Sequence, residues 1–150
     1  MTQKRKGEAT RWFQQAAHDL RAARWNVQGG FHDTACFLSQ QAGEKALKSL
    51  LYYVGARRAA LLTHSLVEMI THAAKQIPGL KELIEDAREL DLHYIPSRYP
   101  NGLPSGYPHA FYGRATADKA IEAAQRILEA VAGHYRGAGE HDILEPPDEQ

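Results

Sequence analysis

The sequence predicts an all-α protein, an antiparallel up-and-down bundle of about five helices with a long Pro/Tyr-rich loop before the last helix. Three observations carry that prediction. Residues 31–54 form one long apolar-periodic stretch. Four further stretches repeat apolar residues at helical spacing. No stretch alternates in the β manner between turn signals.

The central stretch comes first because the others are organised around it. At about 100° per residue, Ala35, Cys36, Ala42, Gly43, Ala46, Leu47, Leu50 and Val54 fall on one broad arc. A surface helix shows a narrower apolar stripe, so this helix should have neighbours on at least two sides. Its small residues Ala35, Ala42, Gly43 and Ala46 let those neighbours approach closely. Gln41, Glu44, Lys45, Lys48 and Tyr52 gather on the remaining face. One reading of that face is a solvated stripe with a Glu44–Lys48 pair at i,i+4. The other is that Gln41, Lys45 and Lys48 meet something polar brought by the rest of the chain.

The remaining elements follow in order. Residues 1–8 are polar and basic and are expected to be disordered. A helix over 9–27, with Thr10 as a candidate cap, presents Trp12, Phe13, Ala16, Ala17, Leu20, Ala23 and Val27, with Asp19 on the border. Trp25 projects from the polar side, and aromatic residues are enriched at interfaces. Gly29-Gly30 turns the chain into the central helix. After the connection 56–62, Thr63 is placed to cap a helix from His64 to about Gln76, broken by Pro78-Gly79. A helix over 80–91 buries Leu80, Leu83, Ile84, Ala87 and Leu90. Asp91 lies in line with that apolar row, so its carboxylate should have a cationic or hydrogen-bonding partner.

Residues 92–115 cannot be one helix, because Pro96, Pro100, Pro104 and Pro108 fall at every fourth position. Tyr94, Tyr99, Tyr107, Phe111 and Tyr112 make the segment aromatic. Loops of this length are often functional in compact domains, and this one should be pinned to the bundle by its tyrosines. Thr116 then caps a last helix to about Arg136. The bundle is expected to span 9–136, and the acidic segment 137–150 to be disordered.

Composition excludes more than it selects. The chain has 150 residues, which suits one domain. Lys+Arg and Asp+Glu balance at 18 each, so overall charge indicates neither a nucleic-acid binder nor an acidic protein. The imbalance is local: the start is basic and the end acidic. The single cysteine, Cys36, reads as a small core residue in a reducing compartment. No stretch reaches the roughly 18 apolar residues of a membrane span, and no signal peptide is visible. A cytoplasmic location without membrane association is expected.

Most catalytic constellations are absent. There is no phosphate-binding glycine loop, no HExxH, and no cysteine cluster. His64 and His72 are too far apart on one helix to share a metal, so neither a metal nor a cofactor is expected. The remaining polar set is Asp91, Tyr94, Arg98, Tyr99 and His109, with Lys45 and Lys48 facing it. Arg98 could grip a phosphate or carboxylate bidentately, and the tyrosines could stack on a base. Alternatively, Asp91 and Arg98 form a structural pair that anchors the loop.

Several runs carry a family resemblance. Trp12-x6-Asp19-Leu20-x2-Ala23 is followed by FLSQQAGEKALKSLL at 37–51, Gly55, THSL at 63–66 and LDLHYIPSRYP at 90–100. Together they resemble the HEPN domain family, the "higher eukaryotes and prokaryotes nucleotide-binding" domains. The resemblance covers about residues 10–135 and implies a helical bundle, commonly a homodimer, for which Trp25 is the candidate interface residue. Many bacterial and archaeal members are encoded beside a minimal nucleotidyltransferase, in toxin–antitoxin-like pairs. Other members are ribonucleases that carry an Arg-x4–6-His motif near the start of the last helix. That motif is missing from its family position here. Arg58-x5-His64 and Arg11-x6-His18 match its spacing but lie elsewhere.

The expectation is therefore a non-catalytic homodimeric module. It would bind a nucleotide, RNA or a nucleotidyltransferase partner through Lys45, Lys48, Tyr94, Arg98 and Tyr99. The first alternative is a metal-independent endoribonuclease using Arg98 and His109, the histidine taking a 2′-hydroxyl proton and the arginine stabilising the phosphorane. The second is a structural dimerisation module with no ligand.

Overall fold

The computed structural model describes residues 2–147. Among these, α1 (Gln3–Gln28), α2 (His32–Tyr53), α4 (Leu66–Ala73), α5 (Ile84–Asp91) and α7 (Arg114–Gly137) are the five longer helices. Short helices α3 (Arg58–Leu62), α6 (Pro108–Phe111) and α8 (His141–Leu144) join or follow them. No strand occurs among the described residues. The predicted all-α bundle is what forms.

α2 is the central element, packed against α1, α4, α5 and α7. Its predicted arc is fully buried at Ala35, Cys36, Ala42, Ala46, Leu47 and Leu50. Gly43 shows why small residues are needed: a Cβ there would lie 2.7 Å from Leu66 Cδ2 and 2.9 Å from Leu90 Cδ1. Burial holds the Cys36 thiol up at about 12, so it behaves as core rather than as a nucleophile. Tyr135 of α7 closes the far end of the core. Its Oη lies 2.7 Å from Ser49 Oγ, and Ser49 in turn donates to the Ala9 carbonyl at 2.6 Å.

Near both ends of the described residues the chain is helical, α1 beginning at Gln3 and α8 spanning His141–Leu144, and the two ends are tied to the bundle by side-chain contacts. α1 starts at Gln3, where Thr2 rather than Thr10 caps it by accepting from the Arg5 amide. Arg5 then donates to the Tyr53 carbonyl at 3.1 Å, at the C-terminal end of α2. Lys6 pairs with Glu140 at 2.8 Å. The basic start and the first acidic residue of the last segment thus neutralise each other. α8 buries Ile143, and Gln14 donates to the Ile143 and Leu144 carbonyls at 2.8 and 3.0 Å. The acidic residues Asp148 and Glu149 of the expected tail lie outside the described residues.

Helix starts shift by local capping chemistry. Ser65, not Thr63, caps α4, accepting from the Glu68 amide. The stretch before α5 is a 3-10 turn over Pro78–Leu83, where proline sets the entry. α7 begins at Arg114, two residues before the Thr116 expected to cap it, with Gly113 as its N-cap.

Candidate functional site

The long loop leaves α5 at Asp91 and rejoins the bundle at α7. It is irregular apart from a 3-10 turn at Pro100–Gly102 and the single turn of α6. It folds back on itself closely enough that a Cβ on Gly102 would lie 3.0 Å from Pro96 Cα. Two buried anchors hold it. Ser97 Oγ donates to the His93 carbonyl, and His93 Nδ1 meets Tyr112 Oη at 3.3 Å.

His93 is buried, and burial lowers its pKa against the opposing pull of Glu89 Oε1 at 3.4 Å. Its pKa in the folded chain therefore lies below the unfolded value of about 6.5. Above that value both states are neutral at this position. As the pH falls below it, the unfolded chain takes up the proton first and stability is lost. Melting curves at pH 7.5 and 5.5 should show a steeper loss for wild type than for His93→Gln. Equal slopes would show that His93 protonates freely in the folded chain.

The loop does not use Asp91 as its anchor. Asp91 Oδ1 accepts from the Leu66 amide at 2.7 Å, and Oδ2 accepts from Ser65 Oγ at 2.9 Å and the Val67 amide at 3.2 Å. The carboxylate at the end of α5 thus serves the unpaired N–H groups that open α4. The expected Asp91–Arg98 pair is replaced by this cap, and no ion pair joins the two among the described residues. Physically, three charge-assisted donors at a fixed helix start outcompete one guanidinium on a loop.

Arg98 lies over the ring of Phe37, its Cζ 4.3 Å from the ring centre. With Phe37, Tyr94, Ile95 and Tyr99 it lines a cavity of about 210 Å³. Arg98 is exposed, as is Tyr99. Tyr94 is half-buried, stacked on the His64 ring at 5.1 Å and 19°.

The polar face of α2 is not a solvated stripe. Gln40, Glu44 and Lys48, each four residues apart, form a buried row. Glu44 Oε2 meets Lys48 Nζ at 3.5 Å, and Glu44 Oε1 meets His64 Nδ1 at 3.0 Å. Gln40 donates to Glu44 Oε1 at 3.5 Å, and Lys48 Nζ sits 5.4 Å from the centre of the Trp12 ring. Lys45 meets Asp19 of α1 at 2.5 Å and borders a different cleft, with Arg11, Trp12 and Gln15. The polar group expected opposite Lys45 is therefore Asp19, supplied from within the chain.

The structure thus brings Tyr94, Arg98 and Tyr99 together. Lys45 and Lys48 stand apart from them and are already paired. His109, on α6, points elsewhere: its Nδ1 lies 3.4 Å from Asp33 Oδ1 and its ring tilts against Phe31. Trp25 is 74% exposed. Phe37 lines the Arg98 cavity and His64 stacks behind Tyr94, although sequence reasoning placed neither there. The four-residue spacing of Gln40, Glu44 and Lys48 was a signal available to find the row; nothing local pointed to Phe37 or His64. Among the described residues, no group of three His, Cys, Asp or Glu side chains is placed to hold a metal. Among the described residues, no helix is long and apolar enough to cross a membrane.

Fold and site together define an all-helical bundle protein whose central helix carries a buried polar row, beside a loop built on aromatics and one arginine. The HEPN domain model matches residues 9–135, and the chain belongs to the HEPN domain family. It is similar to TT1696 from Thermus thermophilus, with 36% identity and a TM-score of 0.78 over 83% of this chain and 96% of that one. It is also similar to ST0689, an archaeal HEPN homologue, with 38% identity and a TM-score of 0.70 over 84% and 96%. A HEPN domain protein from Thermotoga maritima, tm0613, is 28% identical, with a TM-score of 0.66 over 84% and 98%. No curated protein matches the chain.

Proposed function

We propose that this HEPN protein is a non-catalytic homodimeric module that binds a nucleotide through the Arg98 pocket, in a two-component system with a minimal nucleotidyltransferase. The observation that carries the reading is the state of Arg98. It is exposed, held in place by the Phe37 ring, flanked by Tyr94 and Tyr99, and has no carboxylate partner among the described residues. A guanidinium positioned by an aromatic face keeps its N–H edge available for a phosphate. The adjacent tyrosines offer faces on which a base can stack. A cavity of about 210 Å³ is smaller than those that enclose whole ligands, about 300–1,000 Å³. Part of the nucleotide would therefore rest on the surface, where a partner protein can reach it.

Lys45 and Lys48 would contribute only by leaving Asp19 and Glu44, so they are secondary in this reading. The endoribonuclease alternative requires Arg98 and His109 to act on one phosphate. His109 is instead engaged with Asp33 and Phe31 and does not line the Arg98 cavity, so no observation favours it.

The test is calorimetric titration of wild type and Arg98→Lys with nucleoside mono- and triphosphates, alongside melting curves. The variant should fold normally and bind more weakly by roughly 1 kcal/mol or more, because the paired charge-assisted bonds are lost. No binding to wild type at millimolar ligand would remove small nucleotides from consideration. Light scattering should give a dimer, with Trp25 at the interface. A monomer at micromolar concentration for wild type would refute the dimer.

A further inference from the structure

The side of the bundle formed by α1 and α7 carries a second feature, independent of the Arg98 pocket. A groove of about 500 Å³ runs between the two helices. Its floor is apolar, formed by Leu20 and Leu128 with Ala17 and Ala132 along the walls. Its rim is cationic: Arg21, Arg24 and Arg136 face a single carboxylate, Glu129. All three arginines are exposed. None has a carboxylate within ion-pair distance among the described residues. Glu129 accepts from Gln125 at 2.9 Å, and Arg24 donates to Gln125 across the groove.

This arrangement contrasts with the neighbouring cleft between α5 and α7. There Arg126 is bidentate to Asp86, and Lys119 meets Glu89 at 3.4 Å. Cations in that cleft are neutralised within the chain, whereas Arg21, Arg24 and Arg136 of the α1–α7 groove have no carboxylate partner among the described residues.

We propose that the α1–α7 groove is a docking surface for an acidic amphipathic helix of another protein. Small residues on both walls allow a third helix to approach at the usual 8–10 Å axial spacing. The apolar floor favours a peptide side-chain face over a phosphate backbone, which would leave that floor unused. The charge fixes the partner's pattern. Arg24, beside Gln125, marks one end and Arg136 the other, about 16 Å apart by the rise of α7. Carboxylates about eleven residues apart on one helix fall on the same face at this separation, with leucines between them to meet the floor.

The probe is a synthetic amphipathic peptide of about five turns with a leucine face and glutamates at that spacing. A matched peptide carries lysines in their place, and a single-stranded oligouridylate is the third arm. Each is titrated into the isotopically labelled full chain and followed by amide chemical shifts. The glutamate peptide should shift amides of 13–24 and 125–136, and the lysine peptide should bind at least tenfold more weakly. The double variant R24E/R136E should reverse that preference with an unchanged melting temperature; R24Q/R136Q, expected only to abolish it, serves if charge reversal impairs folding. The proposal is overturned by no binding of the glutamate peptide at millimolar concentration, by equal binding of both peptides, or by shifts elsewhere. It is also overturned if only the oligonucleotide shifts these amides, which would make the groove a phosphate track.

Discussion

Glu44→Ala is expected to cost about 3 kcal/mol of folding stability, the scale for removing one member of a buried ion pair. Glu44 is 4% exposed and Lys48 is 7% exposed, so removing the carboxylate leaves an ammonium with only the Trp12 face for company. His64 and Gln40 lose their acceptor in the same step. Because His64 carries Tyr94 on its ring, the change should also loosen the wall of the Arg98 cavity. The measurement is a urea denaturation midpoint at pH 7.5. Lys48→Met in the Glu44→Ala background should recover part of the loss, since the unpaired charge is what costs most. A loss under about 0.5 kcal/mol, the range of ordinary surface substitutions, would mean that Lys48 swings into water and the row is not a buried unit.

Asp91→Ala is expected to cost about 2–3 kcal/mol, because two amides and a hydroxyl lose a charged acceptor together. The amides belong to Leu66 and Val67 at the start of α4, and Leu66 is fully buried. Asp91→Asn should cost less, since one side-chain oxygen can still cap the helix. The sharper check is additivity. With Arg98 outside this cap, Asp91→Ala and Arg98→Ala should add to within about 0.5 kcal/mol. A coupling larger than that would restore the pairing of Asp91 with Arg98. An unchanged midpoint for Asp91→Ala would mean that water replaces the carboxylate at no cost.

The helical architecture was legible in the sequence because it rests on short-range periodicity. The breadth of the apolar arc on α2 already required neighbours on several sides, and its small residues already required close approach. Gly43, against Leu66 and Leu90, is where that requirement is met. The demand that Asp91 find a polar partner was equally local, since it follows from a carboxylate in line with Leu80, Ile84 and Ala87. The Glu44–Lys48 pair was visible as an i,i+4 spacing.

Which partners those groups chose was decided by tertiary structure. Spacing along one helix says which side chains share a face, but not what covers that face. Only the placement of α1 puts Asp19 against Lys45 and Trp12 over Lys48. The segment 63–65 brings His64 to Glu44, and the loop lays Tyr94 on the His64 ring. The same limit explains the ends of the chain. A basic start and an acidic end each read as solvated, since each has no local counter-charge. Their described residues join the bundle because the start of α1 lies beside the C-terminal ends of both α2 and α7, which brings Arg5 to Tyr53 and Lys6 to Glu140. Asp91 passed over Arg98 for the same reason: the opening amides of α4 were already fixed in space, whereas an arginine on a loop had to be ordered first.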